Sequence, residues 1–528
     1  MDFLRRTPGR ARTPMDVQFA EAWRGRPVDM VSPEFVQHRD TFDGQKGVPY
    51  ERLAPAPESS LGEVDRRYST LSVSQTEPAF TVFRSDSHPK VPYASVVVDV
   101  KAFAANGREQ DAVFAGLVQD ERNYVMAWFS HAAGTAGIDA VVDGNLQSLG
   151  ARESHVAAPC RVAFALTGTS VAALVERENG FRPVAAGQLP EGLDLRRPDT
   201  LADYHYGFGV RSSAGTLVLD AVEAGHFGQI GLRDLRLVTH ADGRPYTRLG
   251  SYYLTMSHAG FGFFDAAHWG VWKFDPARLQ FQNVAKLFFQ REGTDAILGD
   301  HSGHLVRDGA NDRWVVATST WVDFAGDGVE IAHTTAPLST DLLHGVHVLG
   351  SEPLPLPLDK LPTAAVGQWD PHIVRIGDRW HVAFVNAREF FDFYPALAVS
   401  EPGGALTDLS LVGADAGKNE TAGVALTRFA GEWYLLASSG SDSAAADRSR
   451  FPVYDLSMRQ MGTLDAPHAA GIPWPTLLPL PAKRDQARWV MVTFDGTRYD
   501  RDVLGYGSHG DLVLLEGQQM TTGEFSTG

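Results

Sequence analysis

Asp300, Asp370 and Glu420 each open the same phrase: an acid, a short apolar run, a turn, then a tryptophan that begins a second apolar run. Asp300-His301-Ser302-Gly303-His304 leads to Arg313-Trp314-Val315-Val316, and Trp369-Asp370-Pro371-His372-Ile373-Val374 leads to Arg379-Trp380-His381-Val382. Asn419-Glu420-Thr421-Ala422-Gly423 leads to Glu432-Trp433-Tyr434-Leu435, and Pro473-Trp474-Pro475 leads to Arg488-Trp489-Val490-Met491 without an acid. The second-run tryptophans stand 66, 53 and 56 residues apart, the length of one propeller blade. First strands of propeller blades line one axis and point the same way, so residues at one place in successive repeats meet at one mouth. Carboxylates gathered there do not all ionise easily, and their pKa values separate. A protonated acid beside an ionised base is what glycosidic bond cleavage requires. An acid at a strand start is also an ordinary turn residue, but three in register favour the chemical role.

Other groups surround these strand starts. His301, His304 and His372 lie there, with His258 and His268 upstream. Neutral imidazole suits a sugar hydroxyl or an axial cation such as Ca2+, and it equally suits hydrogen bonds that orient the acids. His301 and His304 sit three apart on a strand, face opposite ways and make a poor chelate, so no catalytic metal and no required cofactor are expected. Trp321, Trp369, Phe390, Phe391, Tyr394 and Trp474 occupy loop positions where an aromatic face can stack on a sugar. Arg388, Glu389 and Asp323 share those loops, as hydroxyl ligands or as solvated charges. Trp314, Trp380, Trp433 and Trp489, on second strands, are core.

The elements that must hold these groups are strands. Period-two runs at Ser95–Val100, Ala112–Val118, Tyr124–Phe129, Ala140–Gly144 and Arg161–Leu166, separated by Gly, Asn and Asp turns, predict an antiparallel sandwich over 39–242. Gly228–Leu237 reads as its last strand. Residues 1–38 read as an arm laid on the body, and 243–518 as five blades, the first a degenerate unit at Tyr252–Ser257 and His268–Phe274. Asp511–Leu515 is the candidate for closing the ring, and 519–528 reads as a tail. The fold class expected is all-β: an N-terminal antiparallel sandwich followed by a five-bladed propeller.

The first half, through Ala115-Gly116-Leu117-Val118, Arg122-Asn123-Tyr124-Val125, Asp143-Gly144 and Ile230-Gly231-Leu232-Arg233-Asp234, resembles the concanavalin-like or laminin-G-like jelly rolls attached to carbohydrate-active enzymes. The second half, through Trp369–Arg375 with Gly377–Trp380 and Glu420–Gly423 with Gly431–Leu436, resembles the five-bladed glycosidases of glycoside hydrolase family 43 and its arabinofuranosidase relatives. That resemblance implies Asp300 as general base or nucleophile, Asp370 as the carboxylate that orients the acid and adjusts its pKa, and Glu420 as general acid. It implies a furanoside substrate, arabinose or fructose, in an oligo- or polysaccharide, with His301, His304, Trp321, Trp369, His372, Arg388, Phe391 and Trp474 around the sugar. Two departures stand out. A blade precedes Asp300, and no proline follows it, so Asp234 competes for the base if its strand opens the first blade.

Composition narrows the alternatives. The chain has 528 residues, 44% hydrophobic and 21% charged, too many for one core. A net charge of -17 repels nucleic acid and anionic membranes and suits a neutral substrate. No apolar run is long enough for a membrane-spanning helix. Arg5-Arg6 precedes no apolar stretch, so the chain reads as cytoplasmic or as a secreted protein without its leader. Cys160, the only cysteine, reads as a structural thiol. A carbohydrate-binding protein without turnover, or a transglycosylase or phosphorylase on the same propeller, are the competing functions.

Overall fold

Two-residue turns fix how the strands of this chain pair. Asp143 and Gly144 both take positive φ (52° and 83°), as do Ala430 and Gly431 (51° and 100°). The twist of such turns matches that of the flanking strands, so each closes a tight hairpin. The computed structural model describes residues 12–26, 28–43, 50–55, 62–75, 78–104, 107–178, 180–324, 328–483, 486–497 and 510–519. The expected 519–528 tail lies, beyond Gln519, outside them.

The first half is a sandwich of two antiparallel sheets. One runs in the order Asn145–Glu153, Thr135–Val142, Asn123–Ser130, Ala112–Asp120, His205–Ser212, Ala79–Arg84 and Glu51–Leu53. The other runs Gly180–Gln188, Ser170–Arg177, Cys160–Thr167, Tyr93–Ala102, Gly215–Gln229, Thr70–Gln75 and Glu63–Arg67, with Asp29–Asp40 pairing onto Gly215–Gln229. Alternate residues such as Val96, Val98, Val113, Ala115 and Phe164 meet between the sheets with no exposure, as period-two patterning requires.

Among the described residues five four-stranded blades follow. Their inner strands are Leu232–Leu237, His301–Asp308, Gly367–Ile376, Thr421–Phe429 and Thr476–Lys483; those of blades one to four lie against one another in turn, and that of blade five lies against blade one. Blades one and two are further joined by parallel pairing of their outer strands, Gln280–Arg291 and Gly345–Pro353. Every residue of Ser251–His258 in blade one is buried, because both its faces meet protein.

The last blade takes a strand from the other end of the chain. Val17–Gly25 pairs antiparallel with Asp511–Gln519, Val17 opposite Gln519, and Arg24 and Arg26 fasten it to Asp495 (2.7 Å) and Asp511 (2.5 Å). Among the described residues the expected arm over 1–38 is therefore two strands, one in the propeller and one, Asp29–Asp40, in the sandwich, and residues 1–11 of it lie outside them. Asp511–Gln519 does not itself close the ring; it is the strand to which the closing one binds. The run over 228–237 is likewise divided. Gly215–Gln229 ends the sandwich and, two residues on, Leu232–Leu237 is the innermost strand of blade one, so the sheets change over at Ile230-Gly231 rather than at 242.

The two halves share an apolar seam in which Tyr93, Phe227, Phe261, Phe288 and Ile297 pack together. Each such side chain contributes roughly 1.5–3 kcal/mol on burial. The Tyr93 hydroxyl also donates to the Ala267 carbonyl at 3.0 Å. Among the described residues no helix is long and apolar enough to cross a membrane.

Candidate active site

The inner strands of blades one to four slip register at one corresponding place: between Arg233 and Arg236, His301 and His304, Trp369 and His372, Ala422 and Ala425. The residue just inside each slip is left-handed: Asp234 (φ 55°), Ser302 (60°), Asp370 (59°) and Gly423 (64°). A bulge of this kind re-aims a side chain, and aspartate tolerates the conformation because it is short and polar. Asp234, Ser302, Asp370 and Gly423 are thus the true equivalents. Asp300 stands two residues before this position and Glu420 three before it, so the register expected for Asp300, Asp370 and Glu420 is corrected. Only Asp370 of the three sits on a bulge, and Asp234, in blade one, matches it.

A ladder of small hydroxyls ties the two aspartates together. The Ser302 hydroxyl donates to Asp234 Oδ2 (2.7 Å), and the Ser302 N–H donates to Ser257 Oγ (3.2 Å). The Asp370 N–H donates to Ser319 Oγ (3.0 Å), whose own hydroxyl donates to the Ser302 carbonyl (3.1 Å). The Gly423 N–H donates to Asp370 Oδ2 at 3.2 Å. Asp234 and Asp370 are 2% and 4% exposed, so little water screens them. Burial first, and the Asp234 charge second, push Asp370 up to about 8, against the pull of Arg236.

Arg236 follows Asp234 by two residues and crosses the axis. Its Nη2 donates to the Asp370 carbonyl at 2.8 Å, its Nη1 donates to the Val424 carbonyl, and its guanidinium lies 4.2 Å from the Trp474 ring centre. One cation so ties blade one to blades three and four and balances charge beneath the aspartates.

Asp300 is placed otherwise. It has no exposure, and Arg291 grips both its oxygens, Nε on Oδ2 (2.7 Å) and Nη2 on Oδ1 (2.5 Å), while also holding Asp323. Burial raises the Asp300 carboxyl and Arg291 opposes it. A bidentate guanidinium fixes the carboxylate and draws on its negative charge, which makes it a weaker base than one held by a single hydroxyl. Glu420 is left-handed (φ 44°) and buried, and its Oε2 accepts the Asp442 N–H at 2.5 Å. Gly440 makes the room: a Cβ there would stand 2.3 Å from Glu420 Cδ. Burial, then the Asp442 charge, raise this carboxyl, and backbone N–H groups oppose them. No contact joins Glu420 to Asp234 or Asp370 among the described residues.

The expected sugar platform is differently built. Trp321 and Trp369 are 5% and 4% exposed, and Trp321 stacks on Phe264 (4.4 Å) and packs on Trp369 (5.0 Å). Trp474 is buried beneath Arg236. These rings wall the mouth and offer no open face, whereas Phe391 is exposed at its rim. Arg388 is engaged by Asp392 and by the carbonyls of Ala416 and Lys418. His301 is buried beside the aspartates, its Nδ1 on the Gly299 carbonyl. His304 and His372 stack at 4.1 Å deeper in the axis, and their Nδ1 atoms accept the N–H groups of Ile373 and Leu426. Those lone pairs are occupied and a guanidinium stands beside them, so the axial residues do not fit the expected Ca2+. Among the described residues no group of three His, Cys, Asp or Glu side chains could hold a metal.

No family model matches the chain and no curated protein matches it. Solved structures resemble it distantly. A Bombyx mori GH32 beta-fructofuranosidase is 13% identical over 55% of this chain and 61% of its own length, with a TM-score of 0.37. A Bacillus subtilis levansucrase variant in complex with oligosaccharides is 11% identical over 55% of this chain and 88% of its own, with a TM-score of 0.38. The carbohydrate-binding module CBM66 of Bacillus subtilis is 9% identical over 33% of this chain and 94% of its own, at 0.24. Likeness this remote says nothing of the chemistry, which has to come from the side chains.

The aligned phrases Arg233-Asp234-Leu235-Arg236, His301-Ser302-Gly303-His304, Trp369-Asp370-Pro371-His372 and Ala422-Gly423-Val424-Ala425 carry the signal that the acid-to-tryptophan spacing hid. Arg236 and Ser302 become visible as soon as those four are set in register.

Proposed function

We propose that this chain is a glycoside hydrolase whose reacting carboxylates are Asp234, Asp370 and Glu420. The observation that carries it is the pair of equivalent left-handed bulges that put Asp234 and Asp370 at one mouth, one carboxyl retaining its proton up to about 8. Asp234, held by the Ser302 hydroxyl, is the ionised partner. It takes the proton of the attacking water, or attacks the anomeric carbon itself. Asp370 orients the sugar hydroxyls beside that carbon as positive charge develops there. Glu420, raised by burial, donates its proton to the departing glycosidic oxygen. Between Asp300 and Asp234, the grip of Arg291 on both oxygens of Asp300 supports Asp234 as the base.

The furanoside specificity, arabinose or fructose, rests on the resemblance of the Trp369-Asp370-Pro371 phrase. A neutral sugar also suits the net charge of -17. One observation favours recognition without turnover: Asp234 and Asp370 are almost wholly buried behind Trp321 and Trp369. Nitrophenyl furanosides and pyranosides, with arabinan and fructan, separate the two. Turnover that Asp234→Asn and Glu420→Gln abolish in folded protein establishes the hydrolase and its sugar. Glycan binding without turnover in wild type and both variants would establish the binding protein instead.

A further inference from the structure

Past the acid pair, along the inner strands of blades one, three, four and five, lies a second mouth with the reverse chemistry. His372 lies two residues past Asp370, about 7 Å along the strand. It lines a cavity of about 170 Å³ together with Arg236, Thr239, Arg244, Arg428 and Thr476. That is room for about five waters. The walls are rich in donors. Because His372 Nδ1 accepts the Leu426 N–H, the neutral ring carries its proton on Nε2, and that N–H has no acceptor among the described residues. Arg236 Nε is buried and likewise unpaired. Arg244 uses its Nε on Asp242, and Arg428 uses its Nε on the Gly431 carbonyl, and among the described residues no acceptor engages the terminal nitrogens of either. Three guanidinium groups thus face one carboxylate, Asp242, which Arg244 already engages.

Buried donors without acceptors call for a ligand that brings acceptors, and an excess of guanidinium calls for negative charge. We infer that this second mouth is a binding site for a small oxyanion, a phosphate or carboxylate group, held by Arg428 and Arg244 at the rim and by His372 and Arg236 at the floor. It is separate from the acid pair, and it does not depend on whether the chain hydrolyses glycosides. Because Arg236 also donates to the Asp370 carbonyl, an anion here touches the same cation that faces the aspartates.

Calorimetric titration of the full chain with inorganic phosphate tests the site, with acetate as the carboxylate arm and chloride at equal ionic strength as the control. Saturable binding of one anion per chain is expected, weakened about tenfold or more by Arg428→Gln and by Arg244→Gln. Tighter binding of phosphate than of acetate would assign a phosphate ligand, and the reverse order a carboxylate. Both arginines lie at the rim, so circular dichroism of the variants should match wild type. No saturable binding to the wild-type chain, or undiminished affinity in both folded variants, overturns the site.

Discussion

The Ser302 hydroxyl donates to Asp234 Oδ2 at 2.7 Å, from the equivalent position of the next blade. A single alignment therefore supplies both the carboxylate and the group that aims it. Removing a hydrogen bond to a charged group costs about 1.5–3 kcal/mol. Ser302→Ala should lower kcat/KM by about tenfold to a hundredfold and the melting temperature by only a few degrees. Steady-state kinetics on the sugar found in the substrate panel check this, and unaltered kinetics would remove Asp234 from the chemistry.

Asp300 and Asp234 should fail in different ways. Breaking the Asp300–Arg291 pair leaves a largely buried guanidinium with only Asp323 as its carboxylate partner, a loss of up to about 3–5 kcal/mol. Asp300→Asn should thus melt markedly earlier while its folded fraction turns over substrate, whereas Asp234→Asn should stay folded and be inactive. Thermal denaturation alongside specific activity separates them. An inactive but stable Asp300→Asn would restore Asp300 as the base.

Lys286 gives the fold a pH dependence of its own. It has no exposure and lies at the seam between propeller and sandwich, its Nζ 3.4 Å from His258 Nδ1 and 3.1 Å from His268 Nε2. The Trp272 N–H donates to His258 Nε2 at 2.7 Å, so neutral His258 carries its proton on Nδ1, which a neutral amine can accept. Burial pushes Lys286 down to about 7, against the pull of Asp29. Between that value and the ordinary one near 10.5 the unfolded chain binds the extra proton, so this group's contribution to stability rises with pH across that window and is flat below it. Lys286→Met should stabilise the fold at pH 7 by about 1–4 kcal/mol. The gap between variant and wild type should narrow toward pH 10, as urea denaturation at several pH values will read. A gap that stays constant would mean that the lysine is charged in the fold.

Asp370 works in the opposite direction. Its folded value, about 8, lies above the ordinary carboxylate value, so the folded state holds the extra proton and this contribution to stability falls as pH rises from about 4 to 8. Asp370→Asn should be comparatively more stable at pH 8 than at pH 5, although inactive. Urea midpoints at the two values check it, and the reverse order would place the shared proton elsewhere.

Removing residues 12–26 should leave the sandwich intact and damage the propeller. The deletion exposes the edge of Asp511–Gln519, a strand with four consecutive buried residues at Leu512–Leu515. Loss of solubility and an earlier, broader thermal transition are expected. A truncated chain that stays monodisperse with an unchanged transition would show that the fifth blade is complete with three strands.

The fold was legible because its signals are local: alternation within strands, turn dipeptides between them, and a tryptophan in the second strand of blades two to five. Boundaries were harder, because Gly228–Leu237 reads as one continuous strand and only its neighbours decide that it serves two domains. The site was legible in part. Acid-to-tryptophan spacing located Asp370 but misaligned its companions, since a bulge inserts residues that a count from the tryptophan cannot see. Trp321 and Trp369 read as a platform because loop position alone does not reveal packing on Phe264. Pairing across 471 residues, as between Arg24 and Asp495, leaves no periodic trace.

That pairing sets an order of events on the ribosome. The sandwich strands lie between Val17–Gly25 and the rest of the propeller in sequence, so the sandwich emerges and can fold while the closing strand still lacks its partner. Val17–Gly25 must remain unpaired until Asp511–Gln519 has been synthesised. The newborn protein thus carries one waiting β edge through nearly all of its synthesis, and that edge is where a chaperone, or a second nascent copy, would first take hold.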